Sequence, residues 1–353
     1  MKILKYILIS LNVVAVLLLL LCYFSPLVDP QKSEIFGMLG LIFPFLIIVN
    51  LIFVILWLFV DMKFSLLSLI MIFIGWNSFS GIIGLKLPNK VTIDDNAIKI
   101  MSYNIRALSK LTNYPTLNFS ENKEKFSYFL RENGVPDILC LQETTLPNMK
   151  FFENELGYRF FTRYPGFNSN TAILSKYRIK NMGRIDFDRG NGDCVWADIL
   201  IRDSLYRFYS VHLHSNTISL DADRLLDTHK LDTERTYRGV RGMFVKYRYA
   251  SRIRYEQALK VKNHINSSPY PVILCGDFND TPQSYIYHEL SAHLSDSFKE
   301  RGIGFGTTWA GNLPGLKIDY ILTSPSIRTE EHLILRRPFS DHYPIVSTLK
   351  LPR

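Results

Sequence analysis

Val272-Ile273-Leu274-Cys275-Gly276-Asp277-Phe278-Asn279-Asp280 is four apolar residues followed by a glycine and a polar cluster. A short continuous apolar run that ends in a turn reads as a strand buried on both faces. Other runs after Pro88 share the design: a strand with an acid, amide or imidazole at or just past one end. Asn104 follows the run from Ile98, Glu143 follows Ile138-Leu139-Cys140-Leu141-Gln142, and His212 ends Phe208-Tyr209-Ser210-Val211. Asp319 opens Asp319-Tyr320-Ile321-Leu322, and Asp341-His342 precedes the strand over Ile345–Leu349. Strand-like runs over Thr171–Leu174 and Val195–Ile201 carry no such group. Helices are expected at Ser120–Asn133, at Arg252–Ile265, and at Tyr285–Leu290, the last behind Thr281-Pro282. Many strands with fewer helices between them imply an α/β sandwich of two sheets. Six separated segments can then deliver functional groups to one rim, the usual place for chemistry on a rigid scaffold.

The N-terminal quarter is a different kind of sequence. The chain has 353 residues, 47% of them apolar, and a net charge of +9. Residues 1–90 contain six Lys, no Arg and three acidic residues, so +3 of the charge lies there and +6 in residues 91–353. Three uncharged apolar runs, about 6–24, 35–60 and 64–85, are each long enough for a transmembrane helix. A cleaved signal peptide is the bland alternative for the first run. The stretch behind Lys2 and Lys5 is longer than a signal h-region, and retained helices are expected. The expected domains are a three-helix membrane anchor, 1–90, and a catalytic domain, 91–353. Lys2 and Lys5 favour a cytoplasmic N-terminus. Three crossings then put the catalytic domain on the extracytoplasmic side of a cell inner membrane, although Lys86, Lys90 and Lys99 argue the other way.

Composition excludes a disordered or acidic-tail protein. Four Cys make no disulfide framework, and no Cys/His spacing suggests zinc. Gly-x-x-x-x-Gly-Lys-Ser/Thr and Gly-x-Ser-x-Gly are both absent, which removes P-loop enzymes and nucleophile-elbow hydrolases. The strand-end groups instead suit a hard divalent cation, which takes carboxylate and amide oxygens such as those of Glu143, Asp277 and Asn104. Phosphate-ester cleavage needs an activated water and charge stabilisation at the non-bridging oxygens. Asp319 and His342 suit a carboxylate-held imidazole. Taken singly, each of these is an ordinary turn or loop residue; the coincidence of six is the signal.

Together the motifs Met101-Ser102-Tyr103-Asn104-Ile105, Leu139-Cys140-Leu141-Gln142-Glu143, Val211-His212-Leu213, Gly276-Asp277-Phe278-Asn279-Asp280, Ile318-Asp319-Tyr320-Ile321 and Ser340-Asp341-His342-Tyr343-Pro344 resemble the endonuclease/exonuclease/phosphatase (DNase I-like) superfamily, in family order over about residues 97–351. Arg254, Gln257 and Ala258 also resemble its Arg-x-x-Gln-Ala helix. The resemblance implies a four-layered α/β sandwich of two packed mixed sheets flanked by helices, and a Mg²⁺- or Mn²⁺-dependent phosphoric ester hydrolase. It implies Glu143 as main metal ligand, with Asn104 and Asp341 at the metal. Asp277 would act on water, Asn279 on the oxyanion, and His342, oriented by Asp319, on the scissile phosphate. His212 would be a second phosphate-contacting imidazole, although a register shift of two would put His214 in its place. Arg254 is assigned to substrate binding. Which of Asp277 and His342 activates water stays open.

Residues 235–262 hold nine Lys/Arg and one acidic residue, Glu256, with aromatics interleaved. Such a segment meets nucleic acid or anionic lipid headgroups, or is simply a solvated helix. The expected substrate is a phosphodiester of nucleic acid or a phospholipid headgroup, and no obligate protein partner is indicated. Two other readings stand beside the enzyme: a catalytically idle module that binds phosphate ligands, and a protein whose work lies in the spans.

Overall fold

The computed structural model describes residues 2–86, 97–108, 119–162, 170–215, 233–311, 315–337 and 339–352. The expected boundary at 90/91, and Lys90 with it, lies outside the described residues.

The chain opens with α1 (Lys2–Tyr23), α2 (Glu34–Val60), α3 (Ser65–Ile74), α4 (Trp76–Phe79) and a short strand, β1 (Ile83–Leu85). It continues with β2 (Ala97–Asn104), α5 (Phe119–Glu132), β3 (Ile138–Gln142), α6 (Leu146–Leu156), β4 (Phe160–Phe161), β5 (Thr171–Ser175), β6 (Arg178–Arg184), β7 (Asp193–Ile201) and β8 (Ser204–His212). The remainder is α7 (Thr233–Asn266), β9 (Val272–Asp277), α8 (Tyr285–Ser291), β10 (Ser295–Asp296), α9 (Ser297–Arg301), β11 (Ile303–Phe305), β12 (Asp319–Thr323), β13 (Arg328–Ile334) and β14 (Ile345–Lys350).

Two six-stranded mixed sheets, ordered β13-β14-β2-β3-β5-β4 and β10-β12-β9-β8-β7-β6, pack face to face. Alternation sends Ile98, Ile100, Ile138 and Cys140 of the first sheet inward against Ala197, Phe208, Ile273 and Cys275 of the second. The opposite faces are covered by helices. Met101, Tyr103, Leu139 and Leu141 meet Phe126 and Phe152 of α5 and α6, and Tyr209, Val211 and Leu274 meet Val261 of α7 and Ile286 of α8. The result is four layers, as expected.

Topology explains the shared rim. β2 and β3 are parallel neighbours, as are β8 and β9, so each pair ends on the same side. β12 and β14 run antiparallel to β9 and β2, so their starts lie there too; Asp319 is registered against Asp277. Gly276 permits this arrangement. Its φ is +150°, and a Cβ would lie 1.9 Å from the carbonyl of Val211.

The N-terminal region differs from its expected form. Two helices, α1 and α2, are long and apolar enough to cross a membrane, not three. The run expected to span 64–85 breaks at Gly75, where a Cβ would meet the Tyr23 ring at 2.0 Å, and its end becomes β1, paired with β11. Ten residues of α3 rise about 15 Å, half a hydrocarbon core. Only 22% and 28% of the α1 and α2 windows are buried, which is not how a soluble core helix sits. Their inner faces are joined by amide and hydroxyl groups: Asn12 donates to Ser68 (2.7 Å), Ser68 to Asn50 (2.8 Å), and the Trp57 indole to Asn12 (2.9 Å). Polar groups in an apolar bundle persist when they satisfy one another in this way.

The N-terminal helices dock onto the segment that follows β9. Thr281 donates its hydroxyl to the Gly40 carbonyl (3.1 Å), and Gln283 its amide to the Cys22 carbonyl (2.8 Å). Beneath them Arg254 and Asp280, neither with any exposed side chain, pair at 3.1 Å. Asp280→Ala leaves the guanidinium buried and uncompensated; chemical denaturation of the purified chain is expected to show a loss of about 3–5 kcal/mol.

Candidate active site

The rim holds a cleft of about 430 Å³ lined by Glu143, His212, Asp277, Asn279, Asp341 and His342, among others. Asn104 sits beneath it. Its amide nitrogen donates to Glu143 Oε1 and Asp277 Oδ2, both at 3.1 Å. Asp277 is buried at the end of β9 and accepts from the backbone and side-chain nitrogens of Asn279, at 2.8 and 3.2 Å. The Asn279 amide also donates to the Leu213 carbonyl (2.9 Å), which fixes its rotamer. His342 places Nδ1 2.9 Å from Asp319 Oδ2 and Nε2 3.7 Å from Asp277 Oδ2. Trp309 stands edge-on to its ring, with centroids 5.2 Å apart. His212 is buried, yet both ring nitrogens lack a hydrogen-bond partner; Nε2 faces Glu143 at 3.6 Å and Asp277 at 3.7 Å.

The backbone is strained here and almost nowhere else. Among the described residues six non-glycines have positive φ, and five of them, Arg106, Ala107, Leu108, Glu143 and Asn279, line or adjoin the cleft. Such strain survives where surrounding contacts over-determine it, commonly at functional sites.

Electrostatics separate the two central groups. Burial pushes Asp277 up to about 6, and the Asp319 charge adds to this, while His342, His212 and the Asn279 N–H act against it. Burial alone would lower His342, but the charges of Asp319 and Asp277 and the Asp319 hydrogen bond outweigh it and hold the imidazolium up to about 10. At neutral pH the cleft therefore contains a carboxylate beside an imidazolium.

The remaining expected site residues divide. Asp341 is at the cleft and pairs with Arg106 at 2.9 Å. Arg254 corrects the assignment to substrate binding: its side chain is fully buried, held by Asp280 and by the His214 carbonyl (3.2 Å), and cannot reach a ligand. His214 lies behind the wall, its Nδ1 2.6 Å from Oδ1 of the lining Asn191, and the imidazole that lines the cleft is that of His212. Arg106, Asn170, Asn191 and Trp309 also line the cleft and had no sequence signal of their own, except that Arg106 follows Asn104 by two.

Among the described residues, Asp277, Asp319 and His342 form a group with ligand atoms within 4.8 Å of one another. A protonated imidazole has no lone pair at either nitrogen for a cation. NMR titration of the metal-free protein is expected to find His342 protonated through neutral pH. Asp319→Asn removes a charge that raises it, so His342 is expected to lose its proton at lower pH, toward the ordinary value near 6.5.

A model of the Endonuclease/Exonuclease/phosphatase family matches residues 101–342. A second model, for a domain of unknown function, matches residues 5–82. A search of the curated proteins found no match. Solved structures give the fold. An endonuclease/exonuclease/phosphatase family protein of Bacteroides thetaiotaomicron is similar at 18% identity and TM-score 0.55, over 72% of this chain and 94% of that one. A mannosyl-6-phosphatase of the same organism is similar at 17% identity and TM-score 0.53, over 71% and 99%. D. rerio TDP2 complexed with single-strand DNA product is similar at 16% identity and TM-score 0.52, over 72% and 99%.

Proposed function

The chain belongs to the endonuclease/exonuclease/phosphatase family, and from that premise we propose that it is a membrane-anchored, divalent-metal-dependent phosphoesterase that cleaves a phosphodiester by in-line attack of water. The observation that carries this reading is the convergence of Asn104, Glu143, His212, Asp277, Asn279, Asp319, Asp341 and His342 at one rim, with the buried His212 ring left unsatisfied. One neighbour is named as a mannosyl-6-phosphatase and another is bound to a single-strand DNA product, in keeping with a phosphoester substrate; phospholipid stays in the substrate class because of the proposed membrane anchor.

The donors suit Mg²⁺ or Mn²⁺. Glu143, Asn104 and Asp341 offer carboxylate and amide oxygens and no thiol, and Asn104 already bonds to Glu143. When bound, the ion neutralises phosphate charge and acidifies water. The protein groups do the rest. Asp277, ionised above about pH 6, takes the proton of the attacking water. His342 stays an imidazolium, pinned by Asp319, and with His212 faces the non-bridging oxygens, where negative charge grows. Asn279 donates to the same oxygens with the amide hydrogen that here makes the longer bond to Asp277 (3.2 Å), while the other stays on Leu213. This division assigns the base to Asp277 and electrostatic stabilisation to His342.

The test uses the full chain in detergent or lipid. Hydrolysis of a panel of DNA, RNA, phospholipids and simple phosphodiesters should stop with chelator and return with Mg²⁺ or Mn²⁺. Glu143→Ala and His342→Ala should each lower kcat by about 10²–10⁴-fold. Turnover indifferent to chelator and to both substitutions sinks the mechanism and leaves the idle binding module.

The anchor reading also extends to topology and to the division near residue 90. Lys5 and Lys63 gather at Asp61, at 2.8 and 3.8 Å, on the end of the bundle opposite the catalytic domain. By the positive-inside rule that end is cytoplasmic and the catalytic domain extracytoplasmic, in a multi-pass inner-membrane arrangement. α3 alone is too short to cross, but residues 62–79 together run back beside α1 from the Asp61 end to the level of Tyr23, whose hydroxyl donates to the Met71 carbonyl (2.8 Å) and whose ring packs on Gly75. That α1 is a cleaved signal sequence is disfavoured by its bonds through Asn12 and Cys22 to the rest of the molecule. A C-terminal alkaline phosphatase fusion should be active and a C-terminal fluorescent protein dark if exported through the secretory route; the reverse pair overturns this orientation.

A further inference from the structure

We propose that the N-terminal half of α7 is a docking surface for anionic lipid headgroups of the membrane that holds α1 and α2; the inference rests on the reading of those helices as spans. Two contacts fix the course of α7 along the anchor. Tyr255 lies close to Asp29, in the turn between α1 and α2, and the carboxylate adds to the effect of burial in raising its phenol. Eight residues earlier, Tyr247 packs on Gly37 at the start of α2, where a Cβ would meet its ring at 2.8 Å. Passing from Tyr255 to Tyr247 therefore follows the anchor from its turn into α2. α7 runs antiparallel to the start of α2, and the residues before Tyr247 continue toward the bilayer. Arg241 stands about 9 Å beyond Tyr247 at helical rise.

The outward face of this stretch has one chemistry. Arg241, Val245, Arg248, Tyr249 and Arg252 are all exposed, and their spacing of four, three, one and three residues makes a single stripe on a helix. Lys246 flanks it, and the stretch from Arg241 to Arg252 has no acidic residue. Cations interleaved with a tyrosine and an aliphatic side chain suit a lipid interface, where phosphates meet the charges and the apolar groups enter the acyl boundary. A nucleic acid answers the charge alone, and neither Val245 nor the descent along α2. The stripe also reaches the cleft. The Tyr249 ring lies 6.2 Å from that of His214, which is bound to Asn191 on the cleft wall. Headgroups held by the stripe are thus concentrated beside the mouth of the site.

Val245→Cys gives one accessible thiol among the described residues, since Cys22, Cys140, Cys194 and Cys275 are all buried. A nitroxide there, on the full chain in nanodiscs of phosphatidylcholine with or without phosphatidylglycerol, is read by power-saturation EPR against nickel chelated on lipid headgroups. Phosphatidylglycerol is expected to raise relaxation by headgroup nickel several-fold. Raising salt from about 0.1 M to about 1 M should cancel the gain, because the screening length falls from about 10 to about 3 Å. Arg241→Glu, Arg248→Glu and Arg252→Glu together should abolish it, and the milder set of Gln substitutions should reduce it, with melting temperature as the check on folding. No dependence on phosphatidylglycerol in the Val245→Cys chain overturns the inference, as does protection of the label by single-stranded oligonucleotide in its place. A chain that never enters the discs overturns the anchor reading instead, so the two failures are distinguishable.

Discussion

The buried pair of Arg254 and Asp280 is the joint on which the loop through Asn279, the long helix α7 and the N-terminal helices meet. Asp280 lies three residues after Asp277 and pairs with α7 through Arg254. Its backbone carbonyl accepts from the Tyr320 hydroxyl at 2.9 Å, tying it to β12. Its neighbours Thr281 and Gln283 reach the anchor. Burial alone raises the Asp280 carboxyl, and Arg254 opposes that shift. Desolvating two charges roughly cancels their attraction, so the pair contributes position more than stability. What it positions is the turn through Asn279, whose φ of +52° needs support from both sides.

From that joint the chemistry follows by strand direction. Two parallel pairs and their antiparallel neighbours send four strand ends and two strand starts to one rim. Three charged groups, Asp277, Asp319 and His342, are then brought together, buried, at the base of the cleft. One imidazolium between two carboxylates satisfies the local charge best, which keeps His342 protonated and leaves Asp277 ionisable near neutrality. The proposed division into base and electrostatic stabiliser follows from burial and order along the sheets, and residue type alone does not give it.

This explains what was legible in the sequence. Strands buried on both faces announce themselves as apolar runs, so β2, β3, β5, β8, β9, β12 and β14 and the groups at their ends could be read. β6, Arg178-Ile179-Lys180-Asn181-Met182-Gly183-Arg184, is an edge strand with most side chains outward, and β13 is an edge strand too; neither carries that pattern. α7 begins at Thr233, well before the expected Arg252, because Gly239 and Gly242 mask a helix stabilised by packing on the anchor. The third apolar run passed every test of composition. It is broken at Gly75, packed against the Tyr23 ring, and so does not form one long helix; this is a contact between distant segments that hydropathy cannot show. Arg254 was misread for the same reason, since its motif says where it sits in the chain and not that Asp280 closes over it.

The joint also bears on what the anchor does. A domain hung from a membrane by a flexible linker samples orientations freely, and tethering then changes only local concentration. Here the anchor contributes hydrogen-bond acceptors from Cys22 and Gly40 to the loop just past Asn279, a strand partner to β11, and packing for Tyr247. Gly40 is held to glycine by this contact, because a Cβ would lie 2.8 Å from the Gln283 carbonyl. Thr281 and Gln283 are buried and bonded to the helices, so the loop that carries the proposed oxyanion donor is held in part by the N-terminal region. With α1 and α2 as the proposed spans, orientation of the cleft to the bilayer and placement of the loop past Asn279 rest on the same contacts.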